Sequence, residues 1–314
     1  MRLPCVRSLN RFRSFSKCDN KVRAQGKIGP ARRRGARLAI LQVLSTHMFL
    51  PQRLQPGHLD LAARAGAQAI EIFAARQHFD YTSRDQVSEV ASWLRSNPVS
   101  AWSMHAPLYA DQEMGRSGAP MVNVLHPEKF RRIDAMDEIK RALESAEYIP
   151  FKHLVMHLGD RDDSWSPRTV EHAITALEHL GVFAAPLGVR LLVENLPSDA
   201  ASPEHLLDVL KVGHLGNVGI CLDLGHAHLS TGIAEAIELL GKRILSVHAH
   251  DNHAVKDEHL WPGDGSIDWK AAAEGLKALA APPAIVLEIG YTVAEKETDL
   301  AGRIRQSFER FGDR

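Results

Sequence analysis

Short apolar runs alternate with longer amphipathic segments along the chain from residue 38 onwards. The runs are rich in aliphatic and β-branched residues, as buried parallel strands are, and the segments have the periodicity of one-sided helices. The predicted strands are 38–44, 69–73, 100–104, 153–156, 190–193, 218–222, 244–247 and 284–287. The predicted helices are 56–66, 84–96, 127–148, 167–185, 203–212, 233–240, 268–279 and 296–311.

Eight strand–helix units within residues 37–314 match the (β/α)8 TIM barrel, whose parallel strands are covered on both faces. A doubly wound open sheet would show the same alternation. That fold would also carry a Gly-x-Gly-x-x-Gly phosphate loop after its first strand, and this sequence has none there. We therefore predict an α/β protein with a single TIM-barrel domain over residues 37–314.

Residues 1–36 differ from the rest of the chain in charge and pattern. They hold eleven Lys or Arg and one acidic residue, Asp19, without apolar periodicity. We predict a disordered basic extension, whose origin as a transit peptide, a nucleic-acid arm or a mis-assigned start stays open. The remaining residues carry 27 basic and 37 acidic side chains, a formal charge of −10, which disfavours a nucleic-acid partner without excluding it.

The overall composition is that of an ordinary globular protein. No apolar run approaches the ~20 residues of a membrane span, so we expect no transmembrane helix. The three cysteines, Cys5, Cys18 and Cys221, lack the paired spacing of a disulfide framework or a thiolate zinc site. We expect a cytoplasmic protein that acts on a small molecule; assembly into a homo-oligomer stays open.

A histidine or carboxylate ends every predicted strand after the first. In a TIM barrel these C-terminal strand ends form one rim, where the chemistry takes place. Burying so many ionisable groups together costs on the order of several kcal/mol of free energy for each charged group, unless the groups are paired or hold a cation. The residues are Glu71, His105, His157, Glu194, Asp223, His226, His248 and Glu288.

The richest segment is 243–265, RILSVHAHDNHAVKDEHLWPGDG, which adds Asp257 and His259 to the candidates. Neutral imidazole with carboxylate and no thiolate favours zinc or manganese, followed by cobalt or iron. The set exceeds what one ion can bind, so either two or three ions bind or some members contact substrate. The nine candidate ligands are His105, His157, Glu194, Asp223, His226, His248, Asp257, His259 and Glu288.

Other polar and aromatic residues have weaker signals. Trp261 either stacks on a sugar face or closes a loop as a rim hydrophobe. Asn195 follows Glu194 and is predicted to orient that carboxylate or to contact substrate. Eight further histidines are interpreted as surface or structural residues, namely His47, His58, His78, His126, His172, His179, His205 and His214.

Several motifs contain the candidate ligands, and they are MHAPL, VMHLGD, LLVENLP, DLGH, HAHDN, DEHLWPGDGSIDW and LEIG. Together they resemble the xylose isomerase-like TIM-barrel superfamily, which includes sugar and sugar-phosphate isomerases and epimerases and endonuclease IV. The resemblance covers roughly residues 38–311 and is specific for the superfamily rather than for one reaction within it.

The resemblance implies a site for one ion, bound by Glu194, Asp223, His248 and Glu288. It also implies that Glu194 and Glu288 face each other across a ketose as an acid/base pair, moving a proton through an enediolate that the metal stabilises. His226 would then contact substrate. Glu71, Asn195 and Trp261 complete the candidate substrate contacts. The resulting expectation is a metal-dependent isomerase or epimerase of a small sugar, sugar phosphate or polyol in carbohydrate metabolism.

Lyase chemistry such as dehydration would use the same enolate and stays open. Two alternatives to this group of reactions remain. Endonuclease IV uses all nine ligand positions to hold three zinc ions that cleave an abasic-site phosphodiester, and all nine residue types are present here. Against it, the Gly-x-His-x-Ser after the first strand is replaced by LSTHMF, and a Ser-Lys pair is replaced by Asn252-His253. A non-catalytic sugar-binding barrel is the second alternative, which loss of ligands would favour; none is lost.

Overall fold

A computed structural model describes residues 40–110 and 120–312. The predicted basic extension lies outside these residues. The strands are β1 Gln42–Ser45, β2 Ala69–Phe73, β3 Ser100–His105, β4 His153–Met156, β5 Arg190–Glu194, β6 Gly219–Asp223, β7 Ile244–Ala249 and β8 Ala284–Leu287. The helices are α1 Pro56–Arg64, α2 Arg84–Ser96, α3 Lys129–Glu144, α4 Pro167–Ala184, α5 Pro203–Val212, α6 Leu224–Leu229, α7 Ile233–Leu240, α8 Trp269–Lys277, α9 Tyr291–Ala294 and α10 Leu300–Glu309.

The eight strands form one closed parallel barrel in sequence order. Each strand pairs with the next, and β8 returns to β1 with Val286 opposite Val43. The predicted (β/α)8 barrel is therefore confirmed. The observed strand limits differ from the predicted ones by a few residues. For example, β7 continues through His248 to Ala249, because its pairing with β8 extends past the apolar run.

Two helices were missed by the sequence pattern. Helix α6 has six residues and α9 has four, so both are too short to show helical periodicity. The first of them is set by its N-cap, because Asp223 accepts a hydrogen bond from the His226 backbone N–H at 2.7 Å. This cap fixes the Asp223 carboxylate at the rim of the barrel.

Side-chain alternation explains how the strands carry both core and site. Small buried clusters made of strand residues, one around Val43 and Val286 and another around Leu192 and Cys221, fill the barrel below the rim. In a strand the residue two positions later points to the same side. Polar side chains at these positions therefore continue the inward-facing rows as a layer above the apolar one, and they are Glu194, Asp223 and Glu288.

Across the described ranges, none of the helices combines the length and hydrophobicity needed to cross a membrane.

A buried histidine after β2 is expected to make the stability of the folded protein depend on pH. His78 has no exposed surface and donates Nδ1–H to the Gln52 carbonyl at 2.6 Å. Burial lowers the pKa of His78 from 6.5 to about 4. Between these two pH values the residue is therefore protonated in the unfolded chain and neutral in the folded chain. This contribution to stability is fully present above pH 6.5 and is lost as the pH falls towards 4.

We expect the free energy of unfolding to fall by about 2 kcal/mol between pH 7 and pH 5 through this one residue. Urea unfolding of His78→Gln at both pH values should show a smaller drop than the wild type. His179→Gln, at an exposed position of α4, is the matched control and should keep the wild-type drop. An unchanged drop in His78→Gln would contradict this account.

Candidate functional site

Four side chains from neighbouring strand ends meet at the centre of the barrel mouth. One ligand atom from each of Glu194, Asp223, His248 and Glu288 lies within 4.8 Å of the other three, and all four residues are buried. We call this set the core tetrad. The strands β5, β6, β7 and β8 each contribute one member, because each has an inward-facing polar position at or next to its C-terminal end.

The orientation of His248 follows from the carboxylate behind it. Its Nε2–H donates to Glu71 Oε2 at 3.3 Å, and Ser103 Oγ–H holds the same oxygen at 2.7 Å. A carboxylate can only accept, so in the neutral imidazole Nδ1 carries the lone pair. That nitrogen lies 3.4 Å from Glu194 Oε1 and 3.1 Å from Glu288 Oε2. In the neutral form that binds a metal ion, His248 therefore turns its free electron pair towards the other ligands; without an ion, the surrounding carboxylates raise its pKa well above 6.5 against the effect of burial.

Beside the core tetrad, two histidines approach the second oxygen of Glu194. His105 Nδ1–H donates to the Ala106 carbonyl at 2.8 Å, which leaves its Nε2 lone pair 3.3 Å from Glu194 Oε2. His157 Nε2 lies 3.5 Å from the same oxygen. We call His105, His157 and Glu194 the side triad. One carboxylate thus serves both the side triad and the core tetrad.

A third set lies nearer the surface, and we call His226, Asp257 and His259 the outer triad. His226 Nδ1–H donates to the Asn195 carbonyl at 2.9 Å and His259 Nδ1–H to the Glu288 carbonyl at 3.0 Å. Both rings then turn Nε2 towards Asp257 Oδ2, at 3.1 and 3.2 Å. His259 has a left-handed backbone (φ 47°), a strain of order 1 kcal/mol that these contacts outweigh.

These three sets fit a divalent cation. In each of them imidazole lone pairs and carboxylate oxygens converge, an arrangement in which acceptors repel unless a cation or protons lie among them. Glu194 Oε2, His248 Nδ1 and Asp257 Oδ1 are buried and have no hydrogen-bond partner among the described residues. Imidazole nitrogen with carboxylate oxygen and no sulfur is the donor set of zinc, manganese, cobalt or iron.

The pKa values show how strongly the site attracts positive charge. Burial opposes the charge on His226, but the carboxylates of Asp223 and Asp257 outweigh it and raise its pKa to about 10. Burial likewise opposes the charge on His259, whose pKa is raised to about 9 chiefly by Asp257. At neutral pH these rings hold protons that a metal ion must displace, so metal binding is expected to tighten as the pH rises.

The two glutamates of the core tetrad remain ionised despite their burial. Burial alone would raise the pKa of Glu194, but His248 and His157 hold it well below its usual range. Burial would also raise the pKa of Glu288, and His248 again holds it well below. Both carboxylates are therefore charged at neutral pH.

A cavity of about 430 Å³ opens above the core tetrad. Side chains of Phe73, Leu108 and Leu196 form apolar parts of its wall, and Glu194 and Glu288 lie at its floor. This volume is in the range of small-molecule sites. The predicted members His105, His157, His226, Asp257 and His259 also line it.

Three of the predicted substrate contacts, Glu71, Asn195 and Trp261, do not line this cavity. Glu71 has no exposed surface and lies behind His248, since its strand continues for two further residues. Asn195 uses its amide to bind the backbone N–H and C=O of Asp223 at 2.8 and 3.0 Å. Trp261 is buried, with the Arg303 guanidinium 5.8 Å from its ring centroid.

Two site residues were missed. His47 was interpreted as structural, yet it lines the cavity; its Nδ1–H donates to the Ile289 carbonyl at 3.1 Å, and burial lowers its pKa to about 4, so it is a neutral imidazole. It follows β1, whose apolar run is not followed directly by a histidine or carboxylate, so the strand-end pattern gives no signal for it. His250 was noted only as part of the 243–265 segment, and it contacts Asp223 and His259.

The closed barrel and its imidazole–carboxylate mouth define a protein of the TIM-barrel class with a candidate metal centre. Within that class the chain belongs to the xylose isomerase-like TIM barrel family, which matches residues 59–311.

Curated relatives are of several kinds. An uncharacterized protein of Methanocaldococcus jannaschii is 31% identical over 51% of this chain and 58% of its own length. The inosose isomerase of Bacillus velezensis is 21% identical over 74% of this chain and 81% of its own. The probable endonuclease 4 of Natronomonas pharaonis is 28% identical over 47% of this chain and 59% of its own. The chain thus spans about three-fifths of the length of the first relatives it matches.

Solved structures share the fold. A D-tagatose 3-epimerase-like protein superposes with a TM-score of 0.69 at 24% identity, over 87% of this chain and 97% of that one. The IolI protein with a bound zinc atom gives a TM-score of 0.69 at 17% identity, over 87% of this chain and 96% of that one. At these identities the likeness establishes the barrel alone.

Proposed function

We propose that the protein is a divalent-metal-dependent isomerase or epimerase of a small sugar, sugar phosphate or polyol, working through an enediolate. Zinc or manganese is the expected ion, bound by the core tetrad. The observation that carries the proposal is the convergence of two buried carboxylates, Glu194 and Glu288, on His248 Nδ1 at 3.4 and 3.1 Å beneath a cavity. The inosose isomerase among the curated relatives supports the same class.

Glu194 and Glu288 are the proposed acid/base pair. They come from β5 and β8, so a ketose held above the core tetrad has one carboxylate on either side. One carboxylate removes the proton from the carbon next to the carbonyl, and the other returns a proton from its own side. A divalent ion at the core tetrad would polarise the carbonyl and hydroxyl oxygens and stabilise the enediolate.

Further side chains are proposed to bind the sugar. His47 lines the cavity with Nδ1 committed to a backbone carbonyl, so its Nε2 is available to a hydroxyl group of the substrate. His226 also lines the cavity, and its Nε2 would contact a hydroxyl group in exchange for its contact with Asp257. The apolar wall at Phe73 suits a carbon face of the substrate and excludes water from the reacting carbons. The proposal also includes a cytoplasmic location and a role in carbohydrate metabolism.

A second candidate is an endonuclease IV-like phosphodiesterase with a trinuclear zinc centre. The side triad and the outer triad favour it, because an enolising enzyme needs only the core tetrad whereas all nine ligands are gathered here. A probable endonuclease 4 is among the relatives. The formal charge of −10 on residues 37–314 weighs against it, since DNA-binding surfaces use clustered Lys and Arg.

Metal analysis and paired assays test the proposal. We expect the purified protein to contain about one to three equivalents of zinc or manganese, and Asp223→Ala to lose the ion of the core tetrad. A panel of ketoses, ketose phosphates and inososes should then reveal interconversion with uptake of solvent deuterium. An abasic-site duplex is the parallel substrate.

Each outcome has a distinct meaning. Wild-type protein that binds no metal would contradict the proposal. Nicking of the duplex that is abolished by chelator and by Glu288→Gln would establish the second candidate instead. Binding of a sugar without turnover, in a metal-loaded sample, would identify a non-catalytic sugar-binding barrel.

A further inference from the structure

His250 occupies a closely fitted position between the core tetrad and the outer triad. Its side chain has no exposed surface. It lies against Gly225 of α6, where a Cβ atom would come within 2.0 Å of His250 Cε1 and 2.5 Å of Nδ1. The neighbouring Asn252 Nδ2–H donates to the Gly225 carbonyl at 2.9 Å. The DLGH and HAHDN motifs therefore pack against each other, and the absence of a side chain at Gly225 leaves the space that the His250 imidazole fills.

One edge of the His250 ring fixes a ligand of the core tetrad. Its Nε2–H donates to Asp223 Oδ2 at 2.9 Å, while Asp223 Oδ1 accepts the His226 backbone N–H at 2.7 Å. With both oxygens held, the carboxylate cannot rotate about its Cβ–Cγ bond. The same Oδ2 lies 3.8 Å from His248 Nδ1, so His250 sets the direction from which Asp223 meets the other ligands.

The face of the ring supports the outer triad. His250 stacks on His259 with centroids 3.9 Å apart and planes inclined by 16°. A ring nitrogen binds a metal along a lone pair that lies in the ring plane. Two stacked, nearly parallel rings cannot direct lone pairs to one point, so His250 and His259 do not share an ion in this arrangement. One ring nitrogen of His250 lies within 4.8 Å of the ligand atoms of the outer triad, so distance alone would admit it as a fourth ligand there, but the stacking turns its lone pair away from an ion bound by His259.

We propose that His250 is a positioning residue for the metal centre. Through Nε2–H it fixes the Asp223 carboxylate for the ion of the core tetrad, and through its face it orients the His259 ring. This inference rests on the proposed metal-dependent function. Hydrogen bonds to metal ligands from side chains behind them typically change metal affinity by about 10- to 100-fold when they are removed.

Three variants separate the two contacts. His250→Phe keeps a flat ring against His259 and removes the Nε2 donor. His250→Gln places an amide N–H near the position of Nε2 and removes the ring. Gly225→Ala changes no ligand residue but fills the space of the imidazole. His253→Gln, at an exposed histidine of the same loop, is the control.

The measurement is the zinc affinity of metal-free protein, determined by competition with a chromophoric chelator, together with zinc stoichiometry by mass spectrometry and the visible spectrum of the cobalt-substituted protein. We expect His250→Phe and Gly225→Ala to weaken the tightest zinc site by about 10- to 100-fold and to alter the cobalt spectrum. His250→Gln should keep the affinity of that site close to the wild-type value and lower zinc occupancy only at the outer triad, and His253→Gln should not differ from the wild type.

Wild-type affinity in both His250→Phe and Gly225→Ala, or a loss in His250→Gln as large as in His250→Phe, would overturn the inference. If His250→Phe does not fold, Gly225→Ala against His250→Gln makes the same comparison. Wild-type protein that binds zinc but turns over no sugar contradicts the proposed isomerase and leaves this test intact. Wild-type protein that binds no metal contradicts both.

Discussion

Glu288→Gln is expected to lower kcat for interconversion of the substrate by about 10²- to 10⁴-fold, the typical contribution of a positioned acid/base group. Glutamine has the shape of glutamate but cannot accept the proton. Glu288 is 3% exposed, so no solvent base can easily replace it. Circular dichroism and zinc stoichiometry should establish that the variant is folded and metal-loaded before its activity is compared.

Isotope exchange distinguishes an acid/base role from a role in metal binding alone. If Glu194 and Glu288 act on opposite sides, Glu288→Gln should still exchange with solvent deuterium the proton that Glu194 removes, without completing the reaction. Glu194→Gln should show the reverse preference. Glu295→Gln, at an exposed position close behind β8, is the control and should have wild-type activity. Wild-type turnover in either core variant would refute the paired mechanism.

Asp251→Ala is expected to reduce the free energy of unfolding by about 3–5 kcal/mol, because it leaves several buried donors without a partner. The Asp251 side chain has no exposed surface. Its oxygens accept the backbone N–H of Gly263 at 2.8 Å and of Ile267 at 3.1 Å, and the Trp269 indole N–H at 2.7 Å. This carboxylate thus closes the loop between β7 and α8, which carries two members of the outer triad.

Urea unfolding of metal-free protein measures this effect without a contribution from bound ions. Asp264→Ala is the matched control, because Asp264 lies in the same loop but is partly exposed and pairs with Arg303 at the surface. A surface pair of this kind contributes at most about 1 kcal/mol. Equal losses in the two variants would show that the buried hydrogen bonds of Asp251 do not stabilise the loop.

The parts of the site that the sequence predicted are those with a local signal. Glu194 and Asp223 end their strands, so an apolar run followed by a carboxylate was enough to locate them at the rim. Burial of parallel strands on both faces makes each run continuous and therefore easy to detect. The barrel itself was predictable for the same reason, since eight such runs leave few other folds.

The structure departs from the sequence prediction where the role of a residue depends on its depth below the barrel rim or on a contact with a distant part of the chain. Glu71 also follows an apolar residue, but Ile72 and Phe73 continue its strand, so its carboxylate lies one layer below the rim. The position of His250 depends on the absence of a side chain at Gly225, which belongs to a different strand–helix unit. Single-strand patterns carry no information about the register between neighbours, and that register sets both roles.

The hydrogen bonds behind the histidines have a consequence for how such a centre changes over evolutionary time. His105, His226 and His259 each donate Nδ1–H to a main-chain carbonyl rather than to a side chain. No substitution of a neighbouring side chain can delete those acceptors as long as the barrel folds. The backbone therefore fixes the tautomers of these rings. Side chains of the cavity wall can change to suit new substrates without altering which ring nitrogen faces the metal site.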